Sequence, residues 1–179
     1  MTHKDLEDFA NALIQKHLAG SPWKFKWNER VTAWGMCDES DWSISVSKRT
    51  FNALIDKEDA KETVRHEVAH AIVGCHHGHD AVWKAKAFQL GVRNPTSCSN
   101  YLTDKRAMGY TYAMVSIVGY VVRAHGYYVR KPRKSLVGSF ITKDAERTKG
   151  KVYHCSTEDL WAYDAGKLTE KELRSKSWQ

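Results

Sequence analysis

Apolar residues near the start of the chain recur at helical spacing. Leu6, Phe9, Leu13 and Ile14 share one face, Gly20 supplies a stop, and Ser21-Pro22 breaks the chain. These positions predict an amphipathic helix over residues 3–19. The period then changes. Over residues 23–28, Trp, Phe and Trp alternate with Lys, which predicts a strand. Residues 30–37 and 42–47 predict a hairpin over Asp38-Glu39-Ser40-Asp41. The tryptophans at 23, 27, 34 and 42 read as core and sheet packing. A short helical turn is expected over residues 51–55.

Residues 56–74 carry the clearest helix signals. Asp56 suits an N-cap, and Glu58, Asp59 and Glu62 complement the positive end of the helix dipole. Val64, Val68, Ala71 and Ile72 recur at helical spacing, and Gly74 suits the position just past the end. After Cys75-His76-His77-Gly78 a second helix is expected, with Asp80 as N-cap, Gly91 at its end, and Trp83, Ala87 and Leu90 as its buried stripe. The segment 91–100 reads as loop. The β-branched run over residues 110–122 favours a strand, and two short helices opened by Thr are expected over 157–163 and 169–175.

The first of these two central helices contains His66-Glu67-Val68-Ala69-His70, an HExxH pattern. Residues i and i+4 share a helix face, so His66 and His70 can aim two imidazoles at one metal ion. Glu67 lies in reach of a metal-bound water, where a carboxylate acts as general base. A third ligand has three candidates: His76, His77 and His79. The spacing HExxHxxGxxH would select His76, but it needs Gly at position 73, where this chain has Val. A β-branched residue tolerates positive φ poorly. The other spacing selects His79, at the mouth of the second helix. Three His ligands leave a fourth position open for water, the mark of a catalytic zinc site. The expected reaction is hydrolysis, foremost of a peptide bond.

The stretch 65–91, RHEVAHAIVGCHHGHDAVWKAKAFQLG, resembles the SprT-like (Spartan-type) zinc metalloprotease family. HExxHA is followed by a short loop, then a His and, four residues on, an aromatic, here His79 and Trp83. Asp80 stands where the family often has Gly, which suits an N-cap. Ala33-Trp34-Gly35-Met36-Cys37 and Trp42-Ser43-Ile44-Ser45-Val46-Ser47 resemble the family's hairpin before the active-site helix, and Pro95 and Cys98 also fit. The resemblance covers about residues 5–100. It implies a zincin-like α+β domain, helices packed on a short antiparallel sheet, over residues 1–100. It implies one Zn2+ held by His66, His70 and His79, Glu67 as catalytic acid/base, and protein substrates, including proteins associated with DNA. Many relatives add a zinc ribbon with two CxxC knuckles. This chain has no CxxC; His125 and Cys155 would be at most two ligands of a degenerate site, no second structural zinc is expected, and a ribbon-like hairpin without metal is the expectation for that place.

Charge changes the picture for the C-terminal region, residues 101–179. The 179-residue chain carries a net charge of +7, and residues 121–154 hold nine Lys/Arg against two Asp/Glu, so the whole excess sits there. Arg130, Lys131, Arg133 and Lys134 follow Tyr127-Tyr128, a mixture of basic and aromatic side chains that suits phosphates and stacked bases. These four are the candidate DNA contacts. The alternative function is a DNA-binding accessory protein whose metal site is structural or vestigial. No apolar stretch approaches the roughly 20 residues of a membrane span. The N-terminus lacks the order of a signal peptide, and the four Cys read as reduced thiols, so a cytoplasmic address is expected.

Overall fold

The computed structural model describes residues 1–31, 33–93 and 103–179, so the expected loop over 94–100, with Pro95 and Cys98, lies outside the described residues. The chain forms two compact units, Met1–Met108 and Gly109–Gln179. The family of α and β elements is mixed throughout, with a small three-stranded sheet in each unit.

The first unit opens with α1, His3–His17, started by a capping box between Thr2 and Asp5. Its buried face is Leu6, Ala10 and Ile14, with Phe9 and Leu13 packed beside them. Three strands follow: β1 (Lys24–Asn28), β2 (Gly35–Asp38) and β3 (Ser43–Ser47). The hairpin of β2 and β3 is antiparallel, as expected. The sheet as a whole is not antiparallel: β1 pairs with β3 in parallel, Lys24 opposite Ser43, and the order is β1-β3-β2. The sheet is mixed, where an antiparallel one was expected. Alternating polarity fixes which face a residue occupies and says nothing about the direction of its neighbour.

Strand β3 is buried along its whole length. Ile44 and Val46 join the apolar core with Val64 and Val68, while its serines serve polar needs. Ser45 Oγ accepts from Asn28 Nδ2 at 3.0 Å, and Ser47 Oγ accepts from the Thr50 amide at 3.3 Å, capping α2 (Lys48–Ala53). Lys57 then reaches back, its ammonium donating to the carbonyls of Asn52 and Leu54 at 2.8 and 2.9 Å. Those carbonyls belong to the helix end, where a cation is favoured.

The central helix, α3, runs Asp59–Val73. It starts later than the charge pattern suggested, because the Asp56 carboxylate accepts from the Glu58 amide at 2.9 Å and holds a turn instead. A 3-10 turn, Cys75–His77, leads to α4, Ala81–Gln89. Beyond α4, Arg93 ties the chain back onto α3: its amide donates to Glu62 Oε1 at 2.8 Å, and its guanidinium to Glu62 Oε2 at 2.6 Å and Asp59 Oδ1 at 2.8 Å. This fork fixes the exit of α4 against the helix that carries the HExxH pattern.

In the second unit, the run expected as one strand is a hairpin, β4 (Tyr112–Val118) and β5 (Val121–Tyr128), turning at Gly119 with φ 59°. A third strand, β6 (Val152–Ser156), pairs with β4, and all pairings are antiparallel. One short helix, α5 (Ala145–Thr148), precedes β6. Helices α6 (Thr157–Asp164) and α7 (Glu170–Lys176) follow it, near their expected places. Ala113, Val115, Ile117 and Cys155 from the sheet form one core with Leu160 and Leu173. Among the described residues no helix is long and apolar enough to cross a membrane.

Candidate metal centre

Helix α3 presents His66 and His70 one turn apart, and the turn after it returns the chain so that His79 meets them. The chain can reverse here because Gly74 adopts φ 96°, a conformation open to glycine and strained for the Val that ends the helix one residue earlier. The Gly74 amide still donates to His70 O at 2.8 Å. The reversed segment is then clamped. Glu39, in the β2–β3 turn, accepts from the Cys75 amide at 2.7 Å, and Cys75 Sγ lies 3.7 Å from the Cys37 carbonyl. Asp80 caps α4, accepting from the Trp83 amide at 3.0 Å.

The outcome is a convergence of ring nitrogens. His66 Nε2 lies 3.0 Å from His79 Nε2, and His70 Nε2 lies 3.3 Å from it. Among the described residues, these three histidines are the group of potential ligands whose donor atoms all fall within 4.8 Å of one another. Zinc–nitrogen bonds of about 2.0–2.1 Å in a tetrahedron put donor atoms roughly 3.3 Å apart. The two distances to His79 Nε2 are therefore close to those that a small tetrahedral ion requires. His66 is buried, His70 half-buried and His79 exposed, so the cluster opens toward solvent on the side of His79.

The other two histidines are engaged elsewhere. His77 Nδ1 pairs with Asp80 Oδ2 at 2.8 Å, and the His76 ring folds back over Gly74, where an added Cβ would sit 2.6 Å from it. Position 73 is still helical, so the spacing that would have brought His76 in is not realised.

Burial controls the charge of the cluster. It pulls the His66 imidazole down to about 3, helped by His70 and His79, and pulls His70 down to about 4, helped by His79. Both rings are therefore neutral at physiological pH, the form that binds metal. Glu67 is 7% exposed, and burial pushes its carboxyl up to about 8, against a smaller opposing effect of the Cys37 amide that hydrogen-bonds it.

Two residues shape this site without being evident in the sequence. Gly35 in β2 backs the Glu67 side chain: a Cβ at position 35 would lie 2.7 Å from Glu67 Oε1 and 2.7 Å from Thr63 Cγ2. Trp83, read from the sequence as part of a buried stripe, lies under all three rings, with centroids 4.5, 4.9 and 4.4 Å from His66, His70 and His79. The role of Gly35 has no local signal, and the spacing of His79 and Trp83 marks Trp83 without showing that it also meets His66 and His70, 17 and 13 residues away.

The candidate DNA contacts lie in the second unit. Arg130, Lys131, Arg133 and Lys134 are exposed in the segment after β5. Arg130, Lys131, Pro132 and Arg133 line a surface concavity of about 810 Å³. Lys131 also places its ammonium 4.8 Å from the centroid of the Trp178 ring. Cys155 sits in the apolar core and His125 Nε2 contacts Ser116 Oγ at 2.8 Å.

A family model described as the SprT-like family matches residues 3–103, within the first unit. No match was found among curated proteins or among solved structures.

The opposite shifts of Glu67 and the histidines give the metal-free protein a diagnostic stability profile. Folding favours the protonated Glu67 carboxyl, so stability falls as pH rises from about 4.5 to about 8. Folding favours neutral His66 and His70, so their contribution grows as pH rises and is complete above about 6.5. Between about 6.5 and 8, of these three groups, Glu67 alone still changes its contribution. With a chelator present, the melting temperature should fall across that window, and Glu67→Gln should remove the fall; an identical slope in both proteins contradicts the burial account. Gly35→Ala should push the Glu67 side chain off β2 and destabilise the protein by about 1–3 kcal/mol in urea titration. An unchanged midpoint would mean that the contact is not tight.

Proposed function

Because the chain belongs to the SprT-like family, we propose that it is a zinc-dependent endopeptidase of zincin-like type. The observation that carries this reading is the convergence of His66, His70 and His79 with Glu67 buried beside them on the same helix. His66 and His70 from α3 and His79 from the turn before α4 would hold the ion. When bound, the ion supplies Lewis-acid chemistry, polarising a carbonyl and bringing water within reach of ionisation near neutral pH. An all-imidazole set suits zinc, which is the hydrolytic metal such sites favour.

The rest of the chemistry belongs to the chain. Glu67 accepts a proton from the attacking water and delivers it to the leaving amine, which needs a carboxyl able to gain and lose a proton near neutrality. Its burial supplies that property. Gly35 and the Cys37 amide hold the carboxylate in place against β2. A closed structural site would require a fourth protein ligand, and the two histidines nearest in sequence, His76 and His77, are committed to Gly74 and Asp80. That favours the hydrolytic reading over an accessory protein with a structural metal.

The second unit is assigned a guiding role. Its exposed basic segment, centred on Arg130, Lys131, Arg133 and Lys134, would bind DNA and bring the peptidase unit to proteins associated with it.

Glu67→Gln should lower hydrolysis of an unfolded protein substrate by about 10²–10⁴-fold while zinc stoichiometry stays at the wild-type value. Retained hydrolysis removes Glu67 from the mechanism. Replacing Arg130, Lys131, Arg133 and Lys134 by Ala should weaken DNA binding and flatten the plot of log affinity against log salt by about 3–4. An unchanged slope would place any DNA contact elsewhere.

A further inference from the structure

Histidines that ligate metal are ordinarily oriented by a hydrogen bond from the ring nitrogen that faces away from the ion. His70 departs from this: its Nδ1 is buried and finds no hydrogen-bond partner among the described residues. Something else must fix the ring. His66 and His79 meet it at 5.1 Å, both tilted, and Trp83 is the group stacked on it, at 4.9 Å between centroids and 26° between planes. The same indole meets His66 at 4.5 Å and His79 at 4.4 Å, both at 60°.

Trp83 is placed to do this by the local sequence. It lies one helical turn after His79, on the face of α4 that docks onto α3. It is fully buried, and Ala69 and Ala87 are among the residues of its apolar cluster. These small side chains leave room for an indole between the helices. The indole therefore couples the docking of α4 to the orientation of all three imidazoles.

We infer that Trp83 is the positioning residue of the metal centre, holding the three rings in their binding orientation and favouring them once they share a cation's charge. This rests on the proposed metal site. The electrostatic part follows from the ring's quadrupole: an electron-rich indole face attracts a positively polarised imidazole more strongly than a phenyl ring does, and an aliphatic side chain supplies no such attraction. Packing alone would not produce that ranking.

Position 83 permits a clean series. Trp83 Nε1 finds no hydrogen-bond partner among the described residues, so Trp83→Phe sacrifices no hydrogen bond seen there. Zinc affinity of the full chain is measured by competition with a chromophoric chelator, and the cobalt-substituted protein by its visible absorption. Melting temperature of each metal-free variant is recorded alongside. Zinc affinity should fall in the order Trp, Phe, Leu, with Trp83→Leu weaker by about 10–100-fold and its cobalt bands diminished. Val92→Ala thins the same apolar cluster and should lower the melting temperature while leaving zinc affinity within about twofold. If Trp83→Phe and Trp83→Leu bind zinc as tightly as wild type, or if Val92→Ala loses as much affinity as Trp83→Leu, the inference fails. If Trp83→Leu does not fold, the comparison of Phe with Trp decides it alone. Failure of the wild-type protein to bind zinc would instead overturn the metal site itself.

Discussion

The structure depends on one constraint: three imidazoles, two from one helix and one from the turn before the next, with His79 Nε2 held 3.0 Å from that of His66 and 3.3 Å from that of His70 in a partly buried place. Nothing about three histidines favours that arrangement by itself. Their ring nitrogens compete for the same space, and burial removes the hydration that would keep them apart. The convergence is imposed by the frame: the reversal at Gly74, the clamp of Glu39 on Cys75, the Asp80 cap, and the Arg93 fork that pins the far end of α4 to α3. A frame that holds potential ligands at metal-binding spacing has met the ordering cost before the ion arrives.

The same frame sets the character of Glu67. A carboxylate this buried is ordinarily paired with a cation; here its named neighbours are the Cys37 amide, Gly35 and Thr63. Its surroundings favour the protonated form, whereas those of His66 and His70 favour the unprotonated one. Groups pushed in opposite directions at one place are the usual signature of acid–base chemistry set up by environment. The edge strand β2 is thus part of the site, although none of its side chains belongs to the ligand set.

How much of this was legible in the sequence depended on whether the signal was local. HExxH on a helix fixes two donors and a carboxylate by helical periodicity alone. His79 followed from a backbone argument at two adjacent positions, Val73 and Gly74, and the chain indeed turns at the glycine. The parallel pairing of β1 with β3 was not legible, because alternation is blind to strand direction. A hairpin was expected near residues 122–126, but the bounds of β5 and β6 were not legible for a related reason: β5 is largely exposed and runs through Arg123, Ala124, His125 and Gly126 without clean alternation, and β6 is five residues long. Gly35 matters through contacts about 30 positions away and Trp83 through contacts with His66 and His70, 17 and 13 positions away, and only the folded chain displays these.

The second unit holds together without CxxC knuckles: Cys155 is spent in an apolar core with Ile117, Leu160 and Leu173. That core leaves the basic segment after β5 free to face solvent. The proposed chemistry nevertheless resides in the first unit. X-ray absorption at the zinc edge, on the zinc-loaded protein and on His79→Ala, tests it most directly. Three imidazoles in the wild-type spectrum and two in the variant are the expected result. An unchanged imidazole count in His79→Ala, or a wild-type protein that takes up no zinc, would contradict it.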